Sequence, residues 1–436
     1  MADTDPDAEE TESNYRAPTQ RDVPDGPPVR AAPATLETLP AELRVQILFY
    51  LVDLNDLRAV ALASPVLHQQ YRLDRQRLLS QALRLTLRNV LVEAYTHQAS
   101  SALSYRLRKM PQRTLQQAVT QVIDDYVELR CLSINNVVDH CSIDELAAMA
   151  SFYGTIIQPL LLECAARFQQ NLENPSTELG TCWSTTERIR PLRALYRFEI
   201  FQDLFGYHDP ESRFDSPKVL AMFFGIFHPW EVEEINCIDH LIRARYDRVF
   251  DDIKWDVHKT NPRFGVRTTP MTPKGAFDLD SQYNRLSLLN GTIARGLALF
   301  HAVSRIGEET ADDHEALVRL MQENMTWSIG HPISEQLRYS TQDMRRFYHP
   351  SEGDRAEAAR ERMPFLGDGE DGPPLAWVII WRGTYSNTYG GVIPSSLRGW
   401  GYVFWDARRL AGRGGEMKRE LRRAWENEWH GEDPRD

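Results

Sequence analysis

Residues 39–57 read Leu39-Pro40-Ala41-Glu42-Leu43-Arg44-Val45-Gln46-Ile47-Leu48-Phe49-Tyr50-Leu51-Val52-Asp53-Leu54-Asn55-Asp56-Leu57. Pro40 suits the opening of a helix, because its missing N–H has no partner in a first turn. Beyond it Leu43, Ile47 and Leu51 recur at i, i+4 and i+8, one stripe of a helix. Asp53 and Asn55 then supply a break and a cap before a second helix carrying Leu57, Val60 and Ala61. Ser64-Pro65 opens a third, with Leu67 and Tyr71 on one side. Three helices in about 40 residues bury too little apolar surface to stand alone. This segment therefore packs on the rest of the chain or on another protein.

Outward from it, residues 1–34 carry eight acids against three arginines and almost no bulky apolar residue, so disorder is expected there. From Leu36 to about residue 348 the pattern is a succession of helices. Leu79, Leu83, Leu87, Val90 and Ala94 share one helical face, as do Leu286, Leu289, Ile293, Leu297 and Phe300. Ser142 with Glu145 has capping-box spacing and opens a long segment to about Leu172, interrupted at Pro159. Ser216-Pro217 marks another start. Residues 351–374 form a charged, Gly/Pro-rich break. Beyond it lie six of the ten tryptophans, and Ala376–Trp381 and Gly401–Trp405 read as short strands. A charged helix follows from Ala407.

The 436 residues carry 50 Lys plus Arg against 62 Asp plus Glu, a net charge of −12. That argues against a surface that grips nucleic acid or anionic lipid throughout, but not against a local basic patch. Such a patch is visible: residues 66–113 hold nine bases and two acids, with Arg75, Arg84, Arg88, Arg106 and Arg108 among them. Without a nucleic-acid motif, a solvated helix face is the favoured reading. The acidic start lacks the basic and apolar regions of an export signal. The apolar runs at Val219–Phe227 and Ala376–Trp381 are well short of the roughly 20 residues that span a bilayer. Five scattered cysteines, Cys131, Cys141, Cys164, Cys182 and Cys237, fit reduced thiols. The expected compartment is cytoplasm or nucleus, with no membrane or nucleic-acid partner.

The opening segment resembles the F-box family. Leu39-Pro40-Ala41-Glu42-Leu43, then Ile47-Leu48, Leu51, Asp56-Leu57, Val60 and Leu62 follow its pattern over about 45 residues. The resemblance implies that the three helices dock on the Skp-type adaptor of a cullin–RING ubiquitin ligase while the remainder captures a protein substrate. The adaptor-facing set it implies is Leu39, Pro40, Leu43, Ile47, Leu48, Leu51 and Leu57. The third helix departs from the family: Leu67 stands where a Trp is common and Ala63 where a Val is, a smaller apolar contact that implies lower adaptor affinity. The run Gly399–Asp406 is similar to the ends of uncharacterised fungal F-box proteins, a resemblance that brings no assigned function.

Chemistry is sparse. Gly367, Gly369 and Gly372 spell Gly-x-Gly-x-x-Gly, but Asp368, Glu370 and Asp371 would repel a phosphate and Pro373-Pro374 follows in place of a helix. A flexible acidic loop is the better reading. Cys237 with His240, and Cys131 with His140-Cys141, lack the doubled pairing of zinc sites. Glu231, Glu233 and Glu234 follow Pro229, where acids favour the helix dipole. Asn290-Gly-Thr292 and Asn324-Met-Thr326 match the glycosylation pattern by chance. No metal or cofactor is expected, and no active site.

Trp377, Trp381, Tyr385, Trp400, Tyr402 and Trp405, with Arg382 and Arg398 between them, are the candidate substrate-binding set, since aromatics and Arg dominate binding hot spots. Packing into a core is the competing and favoured reading. The expectation is a mainly α protein: acidic tail (1–34), F-box (35–80), helical substrate-binding body (81–350), acidic loop (351–374), then an aromatic β element and charged helix (375–436). Its expected role is that of a non-catalytic substrate receptor bound to a Skp-type adaptor and cullin scaffold. An adaptor-bound factor acting outside ubiquitination, or an enzyme with dispersed residues in 81–436, are the alternatives.

Overall fold

The computed structural model describes residues 35–435 apart from 52, 108–110, 132–133, 172–182, 207–213, 266–271, 308–309, 329, 339–349, 429–432 and 434. The expected disordered tail, 1–34, lies outside the described residues, as does Cys182. The described residues are mainly helical and form no strand. The nearest approach to a sheet is one antiparallel bridge, Arg362 with Thr384.

Three short helices open the chain: α1 (Ala41–Phe49), α2 (Leu54–Ala63) and α3 (Pro65–Leu73). Their ends are made where the local chemistry places them. Asp53 accepts the N–H groups of Asn55 and Asp56, and Ser64 accepts that of Val66 with Pro65 in the first turn. The trio rests on α4 (Arg75–Leu87): Leu54 donates its N–H to Thr86 Oγ1 at 2.9 Å, and Arg77 lies over the Phe49 ring.

α5 (Leu91–Leu107) and α6 (Gln112–Cys131) follow, then α7 (Ile143–Phe152) and α8 (Gln158–Asn171) joined by a π turn at Tyr153–Ile157. Ser142 and Glu145 form the expected capping box. Pro159 does not interrupt the helix. The widened turn just before it absorbs the missing donor and the bulk of the ring. By length and composition the run Ile143–Gln170 could cross a membrane. It carries Asp144, Glu145, Glu163 and Arg167 outward, however, and buries Leu146, Tyr153, Ile157, Leu160 and Phe168.

The axis of the fold is α9 (Thr185–Phe201), buried from Ile189 to its end. It packs against α5, α8 and α11 (Pro229–Ile253), with α10 (Ser216–Met222) between α9 and α11 in sequence. Then come α12 (Gln282–Ile293), α13 (Leu297–Arg305), α14 (Ala311–Asn324), α15 (Ile333–Arg338) and α16 (Glu352–Ala358). The apolar stripe expected to run from Leu286 to Phe300 is broken. The chain bends by 103° between α12 and α13, at Gly296 with φ +81°, and Leu286 is exposed.

The expected β element is helical: α17 (Leu375–Ile380) and α18 (Ser395–Gly399), with 3-10 turns at Gly390–Val392 and Tyr402–Phe404. Trp377 and Trp381 stand at i, i+4 on one side of α17 and face α19 (Ala407–Glu428) through Trp425. The helical spacing of the two indoles outweighs the β-branched Val378-Ile379-Ile380. Buried residues from Leu48 to Trp425 make one continuous hydrophobic core. The opening trio and the carboxy-terminal helices are parts of one body.

Candidate protein-docking face and buried charge cluster

The stripe on α1 divides in two. Leu43 (44% exposed) and Ile47 (38%) point outward, and Pro40 is exposed and Leu39 half-exposed beside them. Leu48 and Leu57, expected on the adaptor-facing side, are buried in the chain's own core, and Leu51 is half-buried against it. They are the residues that hold the trio to α4, and Leu48 and Leu57 keep only 3% of their surface exposed. Tyr50, exposed at the end of α1, extends the outward stripe by one position. Its place, three residues beyond Ile47, was legible in the helical period. Leu67, where the F-box pattern commonly has a Trp, is buried, while Ala63 is exposed.

The carboxy-terminal aromatics do not form a recognition surface. Trp377, Trp381, Tyr402 and Trp405 are buried, and only Tyr385 and Trp400 reach solvent in part. Trp405 donates Nε1–H to Trp400 O at 2.8 Å and meets Trp183 edge to face. Trp377, Trp381, Trp405 and Trp425 cover more apolar area than a small surface element can expose, and the core takes it up.

What sequence reading missed is the polar interior. Arg193 holds Glu234 through two bonds of 2.7 Å, and Arg197 reaches Glu231 at 2.7 Å and Glu93 at 2.9 Å. Tyr126 Oη donates to Glu93 at 3.0 Å. Arg398, from α18, grips both oxygens of Glu233. Arg409, from α19, grips Glu187, and Arg190 meets Asp406 at 3.2 Å. Burial would raise Glu231, but Arg197, then Arg193 and Arg130, hold it well below the usual carboxylate range. Each of these acids is matched by a guanidinium. The cluster is a set of closed ion pairs with no vacant acid or base.

The Gly367–Gly372 segment serves this interior. Gly369 O accepts from Arg190 and Glu370 O from Arg193, while Asp368 caps α19 at the N–H of Ala407. It is an irregular acidic segment laid over α9. Its carboxylates and carbonyls are those of a cation partner and leave no phosphate cradle.

His97, Ser100 and Asp203 also meet. Ser100 Oγ donates to Asp203 at 2.8 Å and His97 Nδ1 lies 3.1 Å from the same oxygen. The serine bonds to the carboxylate and not to the imidazole, and it is wholly buried, so it has no nucleophile geometry. Nearby Glu199 accepts the Leu297 N–H at 2.7 Å; burial and the Asp203 charge raise it to about 7.

Cys237 is buried and its thiol is pushed far up by that burial; Cys141 is raised to about 11 for the same reason. Neither is an activated thiol. Among the described residues the group spaced to hold a metal is His258, Asp278 and Asp280, lying within 4.8 Å. Asp278 already accepts the N–H groups of Asp280 and Ser281 as a turn cap. Asn290, in one glycosylation match, is buried and accepts from Arg243 at 2.8 Å. In the basic region Arg84 pairs with Asp139, Arg75 and Arg88 are exposed, and the Arg106 and Arg108 side chains lie outside the described residues.

No protein-family description, curated protein or solved structure matches this chain.

Proposed function

We propose that this chain is the substrate-recognition, F-box-type subunit of an SCF-type cullin–RING ubiquitin ligase. The observation that carries the reading is the outward stripe of Leu43 and Ile47 on α1, with exposed Pro40 and half-exposed Leu39 just before it, while the inner side of the trio is anchored on α4. Bare aliphatic side chains in one stripe mark a docking surface. Fully burying each would contribute about 1.5–3 kcal/mol before the cost of association. The partner is a Skp-type adaptor, which brings a cullin scaffold, and residues 81–436 hold the protein target in cytoplasm or nucleus. Ubiquitin transfer is accelerated by effective concentration, so the subunit needs no acid, base or nucleophile of its own.

Co-purification with a Skp-type adaptor and a cullin tests this. Recovery of both, lost on Leu43→Asp with Ile47→Asp, supports the ligase reading. Adaptor without cullin favours a role outside ubiquitination. Binding that survives both Leu43→Asp with Ile47→Asp and Leu39→Ala with Pro40→Ala removes the F-box assignment.

A further inference from the structure

The same helices carry a second surface to which α1 contributes nothing. Three hollows of about 710, 590 and 490 Å³ adjoin along α2, α3, α4 and α7, and His68 lines all three. Ala61 and Leu62 join the first to the third, Arg72 and Leu73 the first to the second, and Tyr71 and Arg75 the second to the third. Together they make one groove.

Its floor is apolar, formed by Leu57, Leu79, Ala147 and Ala150, and its rim carries Leu62 and Leu73, 68% and 75% exposed. Gly154, from the π turn, opens one end: a Cβ there would meet nothing within 4 Å. The charge is of one sign. Arg58, Arg72 and Arg75 line the groove beside His68, and no Asp or Glu lines any of the three hollows. All three arginines are exposed, and none forms an ion pair with another described residue. In a chain of net charge −12, where most buried arginines are matched to carboxylates, three unmatched guanidinia around exposed leucines stand out.

We propose that this groove docks an acidic, amphipathic peptide segment of a partner protein. Its aliphatic side chains would enter between Leu62, Leu73 and the Leu57–Leu79 floor, and its carboxylates would meet Arg58, Arg72 and Arg75. Helix-in-groove recognition uses this division: apolar anchors for affinity, rim charges for orientation and association rate. A single small anion would leave the apolar floor unused. Nucleobases stack on aromatic platforms, whereas the floor of this groove is aliphatic, with Tyr71 and His68 the only aromatic rings lining it. No α1 residue lines the groove, so it can be tested apart from the Leu43 and Ile47 stripe.

The probe is a fluorescein-labelled amphipathic helical peptide of about 14 residues built from Glu, Leu and Ala, with a twin in which every Glu is Gln. Fluorescence anisotropy with the full-length chain should show saturable binding. It should weaken at least about tenfold with the Gln twin, with Arg58→Glu plus Arg75→Glu, and between about 50 and 300 mM salt. Arg58→Gln plus Arg75→Gln should give a smaller loss of the same sign. Leu43→Asp with Ile47→Asp should leave it unchanged, separating this groove from the α1 stripe. The proposal fails if there is no saturable binding, if the Gln twin binds equally, or if a single-stranded DNA of equal charge competes equally well. It also fails if removing residues 1–34 raises peptide affinity about tenfold, since the chain's own acidic tail would then be the occupant.

Discussion

Arg193 and Glu234 meet fork to fork in the interior: Nε donates to one carboxylate oxygen and Nη2 to the other, both at 2.7 Å, with Glu234 wholly buried. The pair ties α9 to α11, and Arg193 also donates to Glu370 O on the Gly367–Gly372 segment. Removing Glu234 leaves Arg193 only longer carboxylate contacts, to Glu231 at 3.7 Å and Asp371 at 3.8 Å, and breaking a buried pair costs about 3–5 kcal/mol. Glu234→Leu should therefore lower stability by about that much, and Glu234→Gln by less, because the amide oxygen still accepts one bond. Denaturant midpoints with unchanged slopes would check this. An effect within about 0.5 kcal/mol would mean the pair is solvated.

The two sides of the opening trio should behave oppositely. Leu57→Ala empties a core position and should cost about 2–5 kcal/mol. Leu43→Ala, at an exposed position, should change stability by less than about 0.5 kcal/mol while weakening adaptor binding. Thermal melts of both variants alongside adaptor titration separate a structural from a docking role. Equal destabilisation by the two would mean that Leu43 is part of the core.

Asp53 and Ser64 cap α2 and α3 through the N–H groups of Asn55, Asp56 and Val66. Asp53→Ala and Ser64→Ala should each cost about 1 kcal/mol, and the Gly variants only a few tenths. Because both caps belong to the opening trio, hydrogen exchange should rise first in residues 41–73. Uniform change across the chain would show that the trio unfolds only with the body.

Glu199 supplies a pH dependence. Its ordinary value is 4.5, and burial, followed by the Asp203 carboxylate, raises it to about 7 in the fold. Below pH 4.5 both folded and unfolded chains hold the proton, and the contribution to stability is fully present. Between 4.5 and 7 only the folded chain holds it. Stability from this group therefore falls as pH rises through that window, by roughly 3 kcal/mol. Glu199→Gln keeps an acceptor for the Leu297 N–H and should gain on the wild type from about pH 5 to about pH 8. A difference that does not vary with pH would assign the dependence to another group.

Gly291 admits no side chain. A Cβ there would lie 2.0 Å from Thr326 O and 2.7 Å from the Trp327 carbonyl carbon, both backbone atoms. Gly291→Ala should cost about 3 kcal/mol, since α12 must move off that loop. Gly372→Ala, where nothing lies within 4 Å, is the matched control and should be nearly silent. Comparable losses would show that the close approach is relieved in solution.

How far the structure is legible in the sequence depends on the range of the interaction. The capping box at Ser142 and Glu145 and the breaks at Asp53 and Ser64-Pro65 were readable because each acts within a turn or two. The stripe expected from Leu79 to Ala94 is buried throughout but not on one helix: α4 ends at Leu87, Arg88 takes φ +49°, and α5 begins at Leu91. The division of the α1 stripe was not readable. Leu43, Ile47 and Leu48 are alike in kind, and only the position of α4 makes Leu48 core and the other two surface. In α17 the i, i+4 spacing of Trp377 and Trp381 was present, but beside Gly-rich turns and β-branched residues it could not be ranked above a strand.

The amino-acid sequence by itself determined a mainly helical chain and the starts of its helices, the capped opening trio among them, because caps and periodicity are local chemistry. Only the tertiary structure decided which leucines remain bare, that the aromatics lie inside, and that Glu93, Glu231, Glu233 and Glu234 are matched by arginines 34 to 165 residues away. Such pairs carry no periodic mark. Their energy appears only when folding removes water from both charges and brings them together.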